Sequence, residues 1–452
     1  MVANKRTAEL TASIQQEAVT VANPFTYGNP ISDPSRFFGR GREVGQVISR
    51  LRNREFESSS IVGERRFGKT SLLNYLADPR VRAAHGLDPA SHAFVYVDLS
   101  LVNADVTPTR LWQRILRLIG REVKDQAVAG EAEKLRGDNN LDNFALEDFF
   151  DVVDDAGTFV ALLLDEFENI TENKHFGPDF YFALRSLAIH HNLSVITSSR
   201  QELIELSHSD AIRSSPFFNI FANINIRLLP EPDARSLIAT SLAGAEVQFS
   251  DEETDWLLEM AGCHPHLLQA SAYFLFDARE SGLPPESLRR VAAERFRAEA
   301  APHLDAYWRS SSDGEKILLT TLALLQRDGK GADRAFSVDR LQTLYDHSEQ
   351  MLTRLEKRGL IASDGDTWAL MNTTFDDWIV SEIGSSLEDE QQFDGWLRGN
   401  ETLMTRLPRE AQEQAREILP KIGSKYRDLV VEWISRPETL MSAAALLKGV
   451  LY

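Results

Sequence analysis

Ile61-Val62-Gly63-Glu64-Arg65-Arg66-Phe67-Gly68-Lys69-Thr70-Ser71-Leu72-Leu73 is the stretch on which the reading of this chain turns. Gly63 to Thr70 meets the phosphate-loop pattern G-x-x-x-x-G-K-[ST]. Before it, Ser60-Ile61-Val62 reads as a short buried strand; after it, Ser71 to Leu76 places apolar residues on one helical face. Strand, glycine loop and helix together aim backbone N–H groups and a helix N-terminus at a polyphosphate. Gly63 and Gly68 allow backbone conformations, and close approach to a ligand, that a side chain would obstruct. Glu64, Arg65, Arg66, Phe67 and Ser71 complete the candidate cradle. Lys69 can reach β- and γ-phosphates, and the Thr70 hydroxyl can hold Mg²⁺. A glycine turn opening an ordinary helix would be the plainer reading, but it leaves the eight-residue match and both flanks unexplained.

Working outward, Ala93 to Leu99 is a dense run of strand formers, and Leu111 to Val123 and Ala145 to Val153 have helical periodicity. Phe159-Val160-Ala161-Leu162-Leu163-Leu164-Asp165-Glu166 is then an apolar strand ending in two adjacent acids, as a Walker B strand does. Its apolar body suits a central parallel strand covered on both faces. Asp165 can hold the Mg²⁺ water shell beside Thr70, and Glu166 is placed to orient and deprotonate an attacking water. A strand that simply ends in polar residues would look the same in isolation; the phosphate loop upstream favours the functional reading. Leu193 to Ser198 forms a further strand, ending at Ser199-Arg200. Arg200 is the candidate γ-phosphate sensor, with pairing to a surface carboxylate as the alternative. Arg213, ahead of Ser214-Ser215-Pro216-Phe217, is a candidate trans-acting arginine finger.

The fold class that follows is α/β, a P-loop NTPase parallel sheet with helices on both faces. Beyond it, Asp233 to Leu242, Asp251 to Ala261, Pro265 to Ala278 and Ser287 to Glu299 read as a helical lid. Helices at Glu315 to Gln326, Val338 to Tyr345 and Ser348 to Arg358 precede two β-like runs, Gly359 to Ala362 and Trp368 to Met371, around Asp364-Gly365-Asp366. Three helices and a D-G hairpin describe a winged helix. The expected divisions are a flexible arm over 1–22, the NTPase core over 23–229, the lid over 230–305, the winged helix over 306–385 and a C-terminal helical unit over 386–452. That last unit carries no nucleophile–base pair, nuclease motif or sensing repeat.

Composition narrows the partners. The 452 residues carry a net charge of −19, with 49 basic against 68 acidic residues, which opposes non-specific attraction to nucleic acid or anionic membrane. Arg36, Arg40, Arg42, Arg50, Arg52 and Arg54 could form a local basic patch. The better reading is that Val44, Val47, Ile48 and Leu51 turn inward and the arginines form a solvated face. The presumptive recognition helix, Asp346 to Arg358, balances Arg354, Lys357 and Arg358 against Asp346, Glu349 and Glu356, with an acidic wing, so an intramolecular or protein-binding role is favoured over DNA. One cysteine, Cys263, excludes an internal disulfide and a cysteine-based zinc cluster, and the ten histidines show no spacing with carboxylates that suggests a metal site. No apolar run approaches a membrane span and no secretory leader is evident at Met1 to Thr20, so a cytoplasmic location is expected.

Asn23-Pro24-Phe25, Gly28-Asn29-Pro30, Phe38-Gly39-Arg40 with Glu43, the phosphate loop, Thr197-Ser198-Ser199-Arg200 and Gly262-Cys263-His264-Pro265-His266-Leu267-Leu268-Gln269 together resemble AAA-like ATPases of the STAND class. The archaeal-type ATPases and, more distantly, origin-recognition initiators are relatives of that class. The resemblance spans roughly residues 23–380 and rests on the ensemble of motifs. It implies that Phe38 and Gly39 line the adenine of ATP or ADP and that Pro265 closes over the nucleotide from the lid. It also implies a closed ADP-bound monomer that exchanges for ATP, assembles into a nucleotide-dependent homo-oligomer and switches on an effector. The favoured expectation is therefore a Mg²⁺-dependent ATPase switch acting on a separately encoded protein effector or sensor, in a bacterial signalling or anti-phage defence system. A DNA-linked AAA ATPase, initiator-like or regulating transposition, is the runner-up, and a nucleotide-binding scaffold without turnover the third reading.

Overall fold

The computed structural model describes residues 23–53, 55–206, 216–312, 314–316, 318–319, 322–323, 336–337, 348–364 and 367–385. The arm expected over 1–22, Arg213, most of the first two winged-helix helices, the hairpin tip at 365–366 and the helical unit expected over 386–452 lie outside the described residues.

The first half alternates helices and strands: α1 (Gly41–Leu51), β1 (Ser59–Val62), α2 (Lys69–Ala77), α3 (Pro79–Ala84), β2 (His92–Asp98), α4 (Pro108–Glu122), α5 (Gln126–Leu135), α6 (Asn143–Asp155), β3 (Phe159–Asp165), α7 (Glu168–Glu172), α8 (Pro178–His190), β4 (Leu193–Ser199), α9 (Leu203–Leu206) and β5 (Ala222–Asn225). The strands form a five-stranded sheet in the order β2-β3-β4-β1-β5, with every pair parallel. Two separate apolar cores explain why β3 is apolar throughout. Ala161 and Leu163 enter the core shared with α1, α2 and the later helices, whereas Val160, Leu162 and Leu164 enter the core built by α4 to α6 and α8. Each buried leucine there is worth about 2 kcal/mol of burial, so a polar residue on either face would be costly. The pairing register carries Asp98 to the level of Asp165 and Val62 to the level of Ser199, so the polar strand ends gather along one edge of the sheet. Ligands of open parallel sheets bind at that edge.

The second half is helical before it returns to short strands: α10 (Glu231–Ser241), α11 (Asp251–Ala261), α12 (Pro265–Glu280), α13 (Pro285–Arg309), β6 (Phe336–Ser337), α14 (Ser348–Lys357), β7 (Ile361–Asp364), β8 (Thr367–Leu370) and α15 (Thr373–Ser385). The last three strands make an antiparallel sheet in the order β6-β8-β7. A capping box of Ser250 and Glu253 starts α11, and Gly262 ends it. Gly262 has φ +63° and ψ −164°, a region open essentially to glycine alone, and a Cβ there would lie 2.1 Å from the Met371 carbonyl oxygen. This close approach joins the lid to the segment between β8 and α15, reinforced by the Asn372 amide donating to the Ala261 carbonyl at 2.9 Å. Gly262→Ala is therefore expected to cost about 3 kcal/mol or more, from backbone strain plus overpacking, read as a lowered midpoint in urea unfolding.

One expectation about the surface needs correction. Arg40 is not on a solvated face: it is 4 % exposed and donates to the Phe67 carbonyl at 3.1 Å. It precedes the first turn of α1, so the amphipathic pattern that holds for Val44, Val47, Ile48 and Leu51 does not govern it. Arg50 also turns back, donating to the Ser58 carbonyl and pairing with Glu57. Among the described residues no helix is long and apolar enough to cross a membrane.

Candidate nucleotide site

A cleft of about 470 Å³ opens where the phosphate loop, the Asn23–Arg40 lead-in and the start of α12 meet. Arg65 to Ser71 line its floor, Asp165 and Glu166 one end, and Phe38, Arg40, Pro265 and His266 the walls. Phe38 and Pro265, the residues expected to line the base and to close over the nucleotide, both border this cleft. Gly39 sits just behind, against Leu229 and Asp233. Gly63 and Glu64 border a neighbouring cleft instead.

The loop's glycines serve different ends. Gly68 takes φ +91° immediately before α2, which frees the helix N-terminus to face the cleft. At Gly63 the constraint is internal, because a Cβ would meet the Ile226 carbonyl oxygen at 2.8 Å. Lys69 is 9 % exposed, and its ammonium donates to the carbonyls of Gly63 and Glu64 at 2.7 and 2.9 Å. Burial pushes its pKa down, opposed by the charges of Glu168, Glu64, Asp165 and Glu166.

At the end of β3, the Asp165 carboxylate is 3 % exposed and gathers donors from three elements. The Thr70 hydroxyl reaches Oδ2 at 2.7 Å, the Tyr96 hydroxyl reaches the same oxygen at 2.9 Å, and Ser198 donates to Oδ1. Burial and then the Asp165 charge raise the Tyr96 phenol pKa, so it stays a donor. Hard oxygen donors from Thr70 and Asp165, facing one another beside an amide-lined loop, suit Mg²⁺. Glu166 follows with φ +57°, uncommon for a non-glycine residue, and its N–H donates to Ser198 Oγ at 3.3 Å. The sharp turn sends Asp165 inward and leaves Glu166 exposed at the cleft.

Arg200 lies at the tip of β4 but borders the second cleft, with Nε 2.9 Å from Glu168 Oε1. Its pairing partner is a buried carboxylate on α7.

Further residues complete the site, Tyr307 and Arg358 among them with no motif to announce them. His264 is fully buried and caps α12, accepting from Leu267 N–H at Nδ1; its Nε2 lies 2.9 Å from the Tyr307 hydroxyl, which donates to the Arg65 carbonyl at 2.9 Å. These partners fix the neutral Nε2–H tautomer, and burial holds the imidazole pKa well below its usual value. The His264 ring also packs edge-on against the buried Phe67, 4.4 Å between centroids. α12 and α13 are thereby tied to the phosphate loop. From the opposite side Arg358, just after α14, reaches Glu64 at 2.6 Å and Glu315 at 3.1 Å and donates to Ser310 and Ser311. His266, Glu299 and His303 converge beside the cleft, a grouping that the sequence reading did not expect. Glu299 and His303 stand four apart on α13, which puts them on one helical face, but His266 is brought in from another helix.

A strand feeding a phosphate loop and helix, with an acid-tipped strand one removed from it in a parallel sheet, defines the P-loop NTPase class. Residues 48–277, just over half of the chain, match the family model described as Novel STAND NTPase 2, and the chain belongs to that family. No curated protein sequence matches it. Among solved structures, the Aeropyrum pernix ORC2 protein in ADPNP–ADP complexes is similar at 14% identity and TM-score 0.51, over 80% of this chain and 98% of that one. The Walker-type ATPase PABY2304 of Pyrococcus abyssi is similar at 15% identity and TM-score 0.50, over 78% and 98% respectively. At such identities the likeness is one of fold.

Proposed function

We propose that this chain is an ATP-binding, Mg²⁺-dependent ATPase switch that controls a separate protein effector in a signalling or defence system. In this reading the loop amides and Lys69 grip the triphosphate, Phe38 and Pro265 flank the base, and Thr70 and Asp165 hold the magnesium. Glu166 orients the lytic water, with Arg200 as sensor once released from Glu168, and Arg213 as the finger offered to a neighbouring subunit. Magnesium held by Thr70 and Asp165 would supply positive charge against the charge that develops on the phosphates. Likeness to a protein solved with ADPNP and ADP supports adenine nucleotide as the ligand class.

The observation that carries the switch is Arg358. It ties the winged-helix-like segment of α14, β7 and β8 to Glu64 inside the phosphate loop. Its neighbours on α14 are turned the same way, Lys357 toward Glu202 and Arg354 toward Glu315. Cations spent on the chain's own acids favour intramolecular closure over a DNA-reading helix, whose cations would meet phosphates. A loop held by this arm keeps ADP until the arm lifts.

Arg358→Ala leaves the largely buried Glu64 and Glu315 carboxylates without that partner. ADP release, followed with a fluorescent analogue, is expected to speed up about tenfold. The variant should also assemble more readily with a non-hydrolysable ATP analogue, by light scattering after size exclusion. A variant with the parent's release rate and the parent's mass in both nucleotides would remove the arm from the mechanism.

A further inference from the structure

The cluster of His266, Glu299 and His303 has no part in the phosphate chemistry, yet it borders the nucleotide cleft through His266. The two imidazole Nε2 atoms lie 3.1 Å apart, with the rings nearly perpendicular. A Glu299 carboxylate oxygen lies 4.0 Å from His303 Nε2. All the ligand atoms fall within 4.8 Å of one another.

We propose that His266, Glu299 and His303 form a site for a zinc-class divalent transition metal that staples the first turn of α12 to α13 at the wall of the nucleotide cleft.

Two nitrogens bound to one tetrahedral zinc at about 2.0 Å each are about 3.3 Å apart, close to the observed spacing. The carboxylate needs only a side-chain rotation to close on the same point. Two histidines and a glutamate leave the fourth tetrahedral position for water or another small ligand. Support behind the ligands is of the usual kind: His266 hydrogen-bonds the Tyr27 backbone, and the Tyr27 ring packs edge-on against it at 5.9 Å. A hydrogen bond between the two neutral rings would satisfy one nitrogen of each, but it gives Glu299 no role. Both rings are neutral, burial holding each pKa down, and a neutral imidazole offers one lone-pair nitrogen, which the tautomer with its proton on Nδ1 places at Nε2. Arg66 is the opposing charge nearby; its guanidinium is engaged with the Gly28 carbonyl at 3.1 Å, and Glu299 offsets it. A second His–carboxylate group among the described residues, Asp151, Asp154 and His191, is more simply a hydrogen-bonded pair, His191 Nδ1 standing 2.8 Å from Asp154.

The staple would fix the Pro265–His266 segment over the cleft whatever occupies it, so the test omits nucleotide. The full chain, stripped with a chelator, is titrated with Zn²⁺ alone against a chromophoric competitor, and Co²⁺ is substituted for its visible d–d spectrum. One zinc per chain, with tetrahedral Co²⁺ bands, is expected, and His303→Ala should weaken uptake about 100-fold. Glu299→Gln, which keeps the side-chain shape, should weaken it about tenfold and decides the matter if the histidine variant fails to fold. Sub-stoichiometric uptake by the parent chain at micromolar zinc, or uptake that neither variant weakens, would overturn the site. Nucleotide affinity of the stripped parent, measured separately, keeps this result distinct from the fate of the ATPase reading.

Discussion

Lys69→Ala is expected to reduce ATP and ADP affinity at least 100-fold. The ammonium is buried in the loop that opens α2, held by the carbonyls of Gly63 and Glu64. Polyphosphate oxygens are stronger acceptors than those carbonyls, and a charge-assisted hydrogen bond between ions is worth about 3 kcal/mol, which sets the expected factor. The fold itself should not suffer. Burial already disfavours the charged lysine, so removing it relieves a desolvation cost while leaving the loop glycines and the Thr70–Asp165 bond in place. Thermal unfolding without nucleotide should accordingly be unchanged or slightly raised, while the stabilisation conferred by ADP on the parent chain disappears. Affinity within about threefold of the parent would mean that the triphosphate is held elsewhere.

Glu166→Gln separates binding from chemistry. Glutamine fills the same space but cannot take a proton, so turnover should fall about 10²- to 10⁴-fold while ATP stays bound. The backbone supports this division of labour. Glu166 sits at φ +57° after Asp165, so one carboxylate is tucked against Thr70, Tyr96 and Ser198 and the next is thrown out to the cleft. Single-turnover hydrolysis with saturating Mg²⁺ and ATP reads the effect directly. Hydrolysis at the parent rate would take Glu166 out of the base role and leave Asp165 or a group from another subunit to be considered.

How far the sequence revealed these features depended on whether a feature was local. The bodies of β3 and β4 were legible because parallel strands buried on both faces are apolar along their whole length, and the phosphate loop because its residue types are fixed by backbone geometry. In contrast, β5 (Ala222–Asn225) carries an Ala-Asn-Ile-Asn sequence, with only Ile224 buried, and is a strand because the edge of β1 is there to pair with it. From sequence Arg40 looks like surface charge, and Arg358 is one cation of a neutral helix with no partner assigned. What makes them otherwise is a partner far along the chain, the Phe67 carbonyl for one and Glu64 for the other, and periodicity carries no information about such meetings. Tyr307 was hidden for the same reason: a tyrosine deep in α13 gains its role only because His264, at the start of α12, is delivered beside it. The His266, Glu299 and His303 grouping was missed in the sequence because His266 comes from α12 and the other two from α13.

Calorimetric titration of the purified chain shows whether the cleft takes up an adenine nucleotide. With magnesium present, ATP and ADP should each bind at one site per chain, and Lys69→Ala should abolish both titrations. A parent chain that released or absorbed no heat with either nucleotide at several temperatures, and gained no thermal stability from them, would contradict the account.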